Sequence, residues 1–390
     1  MKRNYYRGRD FRRAVCIDEL RALAERRVPH MAFEYLDGGA EDEVTLRRNR
    51  EVFERIGFVP RTLVDVSERT QTVEVFGQAM QLPLIIAPTG FNGMLRRDGD
   101  LALAAAAKKA GIPFSLSTVS TNTIESVAQR VGGRLWFQLY PMCDRAAVQR
   151  LVKRAAAGYE GLLLTTDVPV YGNREWDQRN YLALGRPSLR TKLDVLAHPG
   201  WLFDVMVPHG APGLANLAEF LPPGKNRAID GARYMITELN ERLDWNAIRW
   251  LREIWPRRFI VKGLLALRDA EIAAGQGIDG IVLGNHGGRQ LDGAISPMEI
   301  LPEVCREVGS WITVMIDSGF RRGSDVVKAL ALGAKAVLIG RAVLYGLAAG
   351  GQAGAQHALV ILRSEIDRVL ALLGCRSCGE LSPDCLLRTS

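Results

Sequence analysis

The stretch "GNHGGRQLDG", residues 284–293, places a histidine and an arginine three residues apart among glycines, directly after the apolar run "GIDGIVL". An imidazole titrates near neutral pH and can move a proton, and a guanidinium binds a planar anion through its fork of N–H donors. We expect His286 to act as a general base on a small molecule whose carboxylate is held by Arg289. Gly287 and Gly288 remove side chains where backbone and ligand must approach closely.

A second group of residues has the character of a cofactor site. Lys262 ends the apolar run "FIVKG", and a buried lysine is costly unless it faces an anion. It could form a Schiff base or stabilise the negative charge of a reduced ring cofactor. "DSGFRRG" (317–323) and "GRAVLYG" (340–346) place small residues and arginine before predicted helices, which is typical of a phosphate cradle. Together they predict a phosphorylated ring cofactor.

These residues have to be positioned by short apolar runs that recur after about residue 80. The runs lack two-fold alternation, as strands covered on both faces should, and Ala- and Leu-rich helical stretches separate most of them. Eight such strands alternating with helices predict an α/β fold, the (β/α)₈ TIM barrel. A doubly wound sheet is the alternative, but no GxGxxG follows the first run. The runs are residues 82–88, 113–118, 135–140, 161–167, 259–263, 280–285, 313–319 and 336–341.

Polar side chains stand at the ends of these predicted strands, where chemistry collects in a TIM barrel. A lysine, a histidine, two aspartates and several arginines rarely meet at one rim by chance, so the sequence predicts an active site there. The residues at the strand ends are Thr89, Ser117, Gln138, Tyr140, Thr165, Asp167, Lys262, Asn285, His286, Asp317, Ser318, Gly340 and Arg341.

The rest of the chain is expected to form a single domain with this barrel, over residues 1–390. Residues 1–75 are predicted to be N-terminal helices packed against the barrel at 82–341, and 350–375 to be a closing helix. Residues 181–228, after the fourth strand, are far too many for an ordinary loop and are rich in Pro, Gly, Leu and aromatic residues. A segment of this kind is typically a lid, a disordered region or an interaction surface.

Composition narrows the function classes. The chain has 390 residues, 47% of them hydrophobic and 24% charged, and no apolar run approaches the length of a spanning helix. The basic N-terminus lacks the apolar core of a secretory signal, which favours a cytoplasmic protein. A net charge of +8 without basic runs interleaved with aromatics does not favour nucleic acid. Cys375 and Cys378 form a lone CxxC, so no metal site is predicted.

The motifs "NHGGRQLD" (285–292) and "DSGFRRGSDVVKALALGAKAVLIGR" (317–341) resemble those of the FMN-dependent 2-hydroxy acid oxidase and dehydrogenase family. The resemblance runs from "VPHMAFEYLDGGAEDE" (28–43) through "GCRS" (374–377). "APTGFNG", "WNAIRWLREIWP" and "LDGAISPMEIL" are most similar to the mandelate dehydrogenases of the family, with its lactate dehydrogenases close behind. The resemblance implies FMN as cofactor and oxidation of an (S)-2-hydroxy acid, (S)-mandelate or L-lactate, to the 2-oxo acid.

The resemblance also implies roles for individual residues. His286 is the base and Asp167 stabilises its protonated form, while Arg174 and Arg289 bind the substrate carboxylate with the hydroxyls of Tyr35 and Tyr140. The FMN contacts implied are Pro88, Thr89, Gly90, Ser117, Gln138 and Thr165 along the ring, Lys262 at its pyrimidine edge, Gly284, Asp317 at the ribityl chain, Ser318, Gly319, Phe320, and Arg321, Gly340 and Arg341 at the phosphate. Gly284 departs from the serine common in the family, so one hydroxyl contact to FMN is missing. The residue types fit removal of either the α-carbon proton or the hydroxyl proton.

The long segment at 181–228 bears on the electron acceptor. Apolar and basic residues together suit an anionic bilayer surface, and a loop folded over the barrel mouth is the alternative. The resemblance implies a homotetramer, peripheral on the cytoplasmic face of the inner membrane, that passes electrons to quinone. A soluble oxidase using O2, or a different FMN barrel enzyme, is the alternative. The residues concerned are Trp201, Leu202, Phe203, Val205, Met206 and Phe220, with Arg186, Arg190 and Lys192.

Overall fold

Eight parallel strands close into a barrel in which sequence neighbours pair and the eighth strand returns to the first. The computed structural model describes residues 5–182, 188–207, 210–225 and 228–388. Each predicted apolar run overlaps one barrel strand, which confirms the predicted TIM barrel. The strands are Leu84–Ile86 (β1), Phe114–Ser117 (β2), Leu135–Leu139 (β3), Gly161–Thr165 (β4), Arg258–Leu264 (β5), Gly280–Leu283 (β6), Thr313–Ile316 (β7) and Val337–Ile339 (β8).

The strands are apolar on both faces because both faces are buried. In β6, for example, Val282 points into the barrel while Ile281 and Leu283 pack outward against the helices. The interior is filled by one apolar residue from most strands, and bulky side chains leave it a packed core. These interior residues are Ile85, Trp136, Leu163, Ile260, Val282, Met315 and Leu338.

The composition of the interior changes two residues further along each strand. Because successive side chains alternate between faces, the next inward position lies two residues after each core residue. On every strand except β1, where this position is Ala87, the apolar filling gives way to polar groups and glycines, which we call the upper layer. The upper layer consists of Ser117, Gln138, Thr165, Lys262, Gly284, Asp317 and Gly340. The strand alternation therefore brings these residues together at the carboxyl end of the barrel.

Helices surround the barrel and shield its outward-facing apolar residues. Those that follow β1 to β3 and β5 to β8 are Gly99–Ala110, Ile124–Arg130, Arg145–Ala156, Leu267–Gly275, Pro297–Val308, Gly323–Ala331 and Arg341–Leu373. The last of these contains non-helical backbone at Gly350 and Gly351, so the helix after β8 and the expected closing helix are joined through a kink.

The N-terminal part is helical only as far as residue 51. Its helices are Ile17–Glu25, His30–Asp37 and Val44–Glu51, after a 3₁₀ turn at Phe11–Arg13. Beyond them, Ile56–Phe58 pairs antiparallel with Leu386–Arg388 near the other end of the chain. A hairpin of Val73–Val75 and Gln78–Met80 follows, and Val75 and Met80 join the barrel interior. The prediction of helices for all of 1–75 is therefore wrong after residue 51. The segments there show no helical period and pair as strands, one with the C-terminal strand and one within a local hairpin.

The segment between β4 and β5 is mostly helical. It contains Glu175–Asp177, Gln178–Leu182, Leu189–Ala197, Pro199–Trp201, Leu202–Met206, Ala218–Phe220, Ala228–Glu238 and Trp245–Ile254. Trp201 is buried, and its indole Nε1 donates to the carbonyl of Met94 at 2.7 Å. The segment therefore folds over the barrel mouth as a lid. Within the described ranges, no helix combines the length and the apolar composition needed to cross a bilayer.

Asp325 fixes the turn that leads from β7 into its helix. The carboxylate is buried and accepts from the backbone N–H groups of Arg321 at 2.9 Å and Arg322 at 3.0 Å. It also forms an ion pair of 2.6 Å with Arg50 in the N-terminal part. A carboxylate at a helix N-terminus is stabilised by the unpaired N–H groups there. This one side chain ties the loop after β7 to the N-terminal helices.

We expect Asp325→Ala to lower the free energy of unfolding by about 2 kcal/mol, since it leaves a half-buried guanidinium and two partly buried N–H groups without this acceptor. The urea midpoint of unfolding measures the change. Asp384→Ala, an exposed carboxylate, is the matched control and should change stability by less than about 0.5 kcal/mol. Equal midpoints for the two variants would contradict the assigned role.

Candidate active site

A cavity of about 790 Å³ opens at the carboxyl end of the barrel beneath the lid. Most of the residues predicted for the site line this cavity, although they are widely separated in the sequence, between residues 35 and 341. These lining residues are Tyr35, Pro88, Thr89, Gly90, Gln138, Tyr140, Thr165, Arg174, Lys262, His286, Arg289, Asp317, Ser318, Gly319, Phe320, Arg321, Gly340 and Arg341.

His286 is held between a carboxylate and a phenol. Its Nδ1 lies 3.1 Å from Asp167 Oδ1, and its Nε2 lies 3.5 Å from the hydroxyl of Tyr140. Burial, helped by the charges of Lys262 and Arg174, lowers the pKa of His286 below its usual value although Asp167 opposes the change. The imidazole is therefore neutral at pH 7, with Nε2 facing the cavity as a base.

The carboxylate behind the histidine stays charged. Burial alone would raise the pKa of Asp167, but attraction to His286 and Lys262 outweighs it and lowers the pKa. Burial raises the pKa of the Tyr140 phenol, so this hydroxyl keeps its proton and can donate a hydrogen bond. Asp167 itself does not line the cavity, which suits a group that orients the histidine from behind.

The backbone around His286 is anchored to the N-terminal helices. His286 has a φ of 56°, in the left-handed region that non-glycine residues rarely adopt. Asn285 and Asn49 exchange two side-chain amide hydrogen bonds of 2.8 Å, and the Gly288 carbonyl accepts from the N–H of Ala40 at 2.9 Å. The strained conformation is thus held by contacts on both sides of the histidine.

The two predicted carboxylate-binding arginines lie next to each other. Arg174 Nε donates to the carbonyl of Arg289 at 2.9 Å. Arg289 NH1 donates to the carbonyls of Tyr35 at 2.8 Å and Gly38 at 2.7 Å, and its guanidinium lies 5.1 Å from the Tyr35 ring centroid. Both side chains border the cavity beside His286, so a small carboxylate there would meet two positive charges.

Three partners of these arginines were not predicted from the sequence. Asp177 is buried, with Oδ2 at 3.8 Å from Arg174 and 3.5 Å from Arg289. Tyr171 accepts from Arg174 NH1 at 3.1 Å and donates its hydroxyl to Asp177 at 2.8 Å. Gln290 Oε1 accepts from Arg174 NH2 at 2.9 Å. One carboxylate thus offsets part of the charge of the two arginines and reduces the repulsion between them. The spacing Arg174-x-x-Asp177, one helical turn, was the available signal.

A chain of hydrogen bonds orders the polar groups of β2 to β4. Ser117 Oγ donates to Gln138 Oε1 at 3.0 Å, and Gln138 Nε2 donates to Thr165 Oγ1 at 3.0 Å. All three side chains are almost completely buried. Ser117 does not line the cavity, so in place of the predicted cofactor contact it fixes which way the Gln138 amide points.

Lys262 is paired with Asp317 across the top of the barrel. Lys262 Nζ lies 2.5 Å from Asp317 Oδ2, and Asp317 Oδ1 accepts from Ser318 Oγ at 2.8 Å. Burial opposes the lysine's charge, but the carboxylates of Asp317 and Asp167 outweigh it and raise the pKa of Lys262. Gly284 does not line the cavity either, because the carboxylate of Asp317 fills the place of its missing side chain.

The arginines after β7 and β8 also border the cavity, and Arg341 lies beside Arg289, since both donate to the carbonyl of Gly38. Arg341 NH1 donates to the carbonyl of Gly287 at 2.8 Å, and NH2 to that of Gly38 at 2.7 Å. Burial, with the charges of Arg289 and Arg321 close by, lowers the pKa of Arg341 to about 9. A buried cation that lies among other cations is stabilised by an anion, so the surroundings of Arg321 and Arg341 favour a ligand such as phosphate.

Comparison with known proteins agrees with this geometry. Residues 24–388 match the family model described as FMN-dependent dehydrogenase. The chain belongs to the FMN-dependent dehydrogenase family. It is 48% identical to (S)-mandelate dehydrogenase of Pseudomonas putida over 95% of this chain and 93% of that protein. It is 44% identical to L-lactate oxidase of Nostoc sp. over 93% and 95%. A crystal structure of the monotopic membrane protein (S)-mandelate dehydrogenase superposes with a TM-score of 0.92, at 48% identity, over 96% of this chain and 100% of that one.

The residues present suit the FMN of this dehydrogenase family. The cavity has the size of a typical cofactor site. Lys262 and the amide of Gln138 offer hydrogen-bond donors for a ring that gains negative charge. Arg321 and Arg341, which border the same cavity, offer charge for a phosphate. The predicted FMN cofactor is therefore consistent with the donors as well as with the family.

We expect Asp167→Asn to lower the pKa of His286 further, because the carboxylate is the group that raises it against burial. NMR of the enzyme carrying ¹³C-labelled histidine, titrated with pH, measures the change, and His286→Asn assigns the resonance among the five histidines of the chain. Asp384→Asn serves as the control and should leave the titration unchanged. A higher pKa for His286 in Asp167→Asn would disprove the pairing.

Proposed function

We propose that the protein oxidises an (S)-2-hydroxy acid to the 2-oxo acid, with His286 as the base. The observation that supports this best is the grouping of a neutral imidazole, two arginines and two phenols in one cavity beside Lys262. A different FMN barrel enzyme would have no use for two carboxylate-binding arginines around the histidine. FMN supplies the two-electron acceptor for such an oxidation.

The side chains divide the work of the reaction. Arg174 and Arg289 bind the carboxylate of the substrate and desolvate it, which fixes one face of the α-carbon. His286 Nε2 takes one proton of the substrate, from the α-carbon or from the hydroxyl group, and Asp167, 3.1 Å from Nδ1, stabilises the imidazolium that results. Tyr140 donates its hydroxyl hydrogen toward the oxygen that becomes the carbonyl, because the raised pKa keeps the phenol protonated.

The substrate is proposed to carry a large apolar group, as (S)-mandelate does, with L-lactate as the smaller candidate. The space beside Gly90 does not supply the room, because the side chain of Val119 occupies it. The room lies under the lid, where the cavity wall is apolar and suits an aryl group better than a methyl group. The apolar residues of this wall are Met31, Leu95, Val119, Val195, Leu214 and Met235.

Anaerobic bleaching of the FMN absorbance by (S)-mandelate, (R)-mandelate, L-lactate and D-lactate tests the proposal. We expect (S)-mandelate to reduce the FMN fastest and the (R) and D acids to fail. His286→Asn should keep FMN bound but slow the reduction by about 10²–10⁴-fold, the usual contribution of a general base. His357→Asn, outside the cavity, should bleach normally. Unchanged bleaching in His286→Asn would exclude His286 as the base.

We also propose that the lid binds a membrane surface. Leu189, Leu193 and Leu196 lie on one face of Leu189–Ala197 and are 74%, 59% and 64% exposed, and Phe203 and Val207 nearby are 65% and 57% exposed. We call these five residues the apolar patch. Exposed apolar groups at this density, beside the exposed Arg190 and Lys192, suit an anionic bilayer.

The predicted membrane set is corrected in part. Trp201 and Val205 are buried in the lid and cannot reach a bilayer. Phe220 is half-buried and stacks on Tyr234, while Arg186 lies outside the described residues. The leucines of the apolar patch were not predicted as membrane contacts, because the same spacing is typical of the buried face of a helix.

A lipid-soluble quinone is the electron acceptor we propose. Leu196 borders the cavity and also belongs to the apolar patch. Val195 of Leu189–Ala197 and Met206 of Leu202–Met206 border the cavity as well, and both helices contribute residues to the patch. An apolar molecule at the membrane surface would therefore meet the cavity wall without crossing water. The homotetramer, and the cytoplasmic face of the inner membrane as its location, stay predictions.

We expect Leu189→Glu/Leu193→Glu/Phe203→Glu to weaken binding to anionic vesicles roughly 100-fold, since each apolar side chain lost from the bilayer costs about 1 kcal/mol or more. Cosedimentation with the vesicles measures binding. Quinone-loaded vesicles should reoxidise the reduced wild-type enzyme but not the variant, while a soluble dye should reoxidise both.

The matched control is Trp311→Glu/Leu372→Glu, which removes two exposed apolar side chains outside the lid. This variant should bind vesicles as the wild type does. Equal vesicle binding by all three proteins would refute the membrane surface, and faster reoxidation by O2 than by quinone would favour the soluble oxidase.

A further inference from the structure

Gly284 occupies a position where any side chain would collide with a functional carboxylate. It follows β6, and its N–H donates to Leu264 on β5 at 3.3 Å, while the Leu283 carbonyl beside it accepts from the N–H of Asp317 after β7 at 2.9 Å. A β-carbon at residue 284 would overlap Asp317 Oδ1 and lie 2.9 Å from Asp317 Cγ. The strand between Lys262 and Asp317 thus carries no side chain at the height where the two meet.

The carboxylate held in this space is oriented at both oxygens. Oδ1 accepts from Ser318 Oγ at 2.8 Å and Oδ2 contacts Lys262 Nζ at 2.5 Å. Ser318 Oγ in turn accepts from the N–H of Gly287 at 3.1 Å, next to the base. Asp317 could not keep these contacts with a side chain at residue 284, because the overlap is with Oδ1 itself.

The pairing changes the charge that Lys262 presents to the cavity. A lone ammonium in a buried site stabilises a neighbouring negative charge strongly, because the effective dielectric constant there is low. An ammonium 2.5 Å from a carboxylate forms a nearly neutral pair, whose field falls off much faster with distance. A ring beside Lys262 therefore gains less stabilisation of its reduced, negatively charged form.

We propose that Gly284 is a positioning residue that lowers the reduction potential of FMN by letting Asp317 pair with Lys262. The proposal rests on the placement of Lys262 at the FMN ring. The glycine therefore does more than remove a hydroxyl contact to FMN. By leaving room for Asp317, it reduces the net positive charge that Lys262 presents to the cofactor.

Gly284→Ser tests the proposal in the FMN-loaded enzyme without substrate. The serine displaces the Asp317 carboxylate, so reduced FMN should bind about tenfold more tightly relative to oxidised FMN. For a two-electron couple this is a positive shift of about 30 mV in the midpoint potential. Equilibration with a reference dye of known potential measures it, with FMN content determined alongside. Gly275→Ser, at a glycine with open space around its Cα, should leave the potential unchanged.

Asp317→Asn decides the question if Gly284→Ser fails to fold, because it removes the charge and keeps the shape. Its potential should also rise, and Gly284→Ser/Asp317→Asn should rise no further than the larger single change. Lys262→Met should lower the potential. A lower potential in Lys262→Met with no change in Gly284→Ser and Asp317→Asn would overturn the role of Gly284 alone. No change in Lys262→Met would overturn the placement of Lys262 at FMN, and the role of Gly284 with it.

Discussion

The site depends on two buried carboxylates, each of which compensates one nitrogen base at the end of the barrel. Asp167 supports His286 at 3.1 Å and Asp317 supports Lys262 at 2.5 Å. A buried charge without a partner is costly enough that the group would neutralise or the loop would move. The two pairs let the barrel place ionisable groups directly above an apolar interior without losing the packing beneath them.

Room for these carboxylates comes from glycines on neighbouring strands. Gly263, with φ of +104°, lies at an irregularity of β5 where a β-carbon would meet Asp167 Cβ and Cγ, both at 2.7 Å. Gly284 stands in the same relation to Asp317. Each base therefore needs three residues: the base itself, its carboxylate, and a glycine that admits the carboxylate. The glycine takes no part in the chemistry, but the carboxylate could not reach its base without it.

The N-terminal helices complete the site because they supply acceptors that the barrel lacks. Carbonyls of residues 35–38, at the end of His30–Asp37, receive hydrogen bonds from Arg289 and Arg341. Asn49 binds Asn285 beside the base. Without these contacts two arginines would lose their orientation and His286 its strained backbone, so the segment is part of the active site although it contributes few side chains to the cavity.

The sequence was sufficient to predict the barrel and most of the polar side chains that line the cavity. Apolar runs marked the buried strands, the ends of these runs carried Gln138, Thr165, Lys262 and Asp317, and the family resemblance supplied Tyr35 and Arg174. What it could not predict depends on contacts between distant residues. In the sequence Asp177 resembles other helical acids, and only the fold places it between two arginines. Trp201 was predicted to face a membrane, but in the fold it packs from the lid against the barrel, where it binds Met94.

Burial lowers the pKa of both bases, but carboxylates reverse its effect at Lys262 and not at His286, and this difference makes the chemistry possible at neutral pH. Lys262 has a raised pKa because Asp317 touches it and Asp167 lies near. His286 has a lowered pKa mainly because it is buried; its one carboxylate does not outweigh burial, and Lys262 and Arg174 repel a second positive charge. A charged lysine and a neutral imidazole can therefore coexist in one small cavity. The lysine helps to keep the histidine unprotonated, so the group that faces the cofactor also maintains the base in its active form.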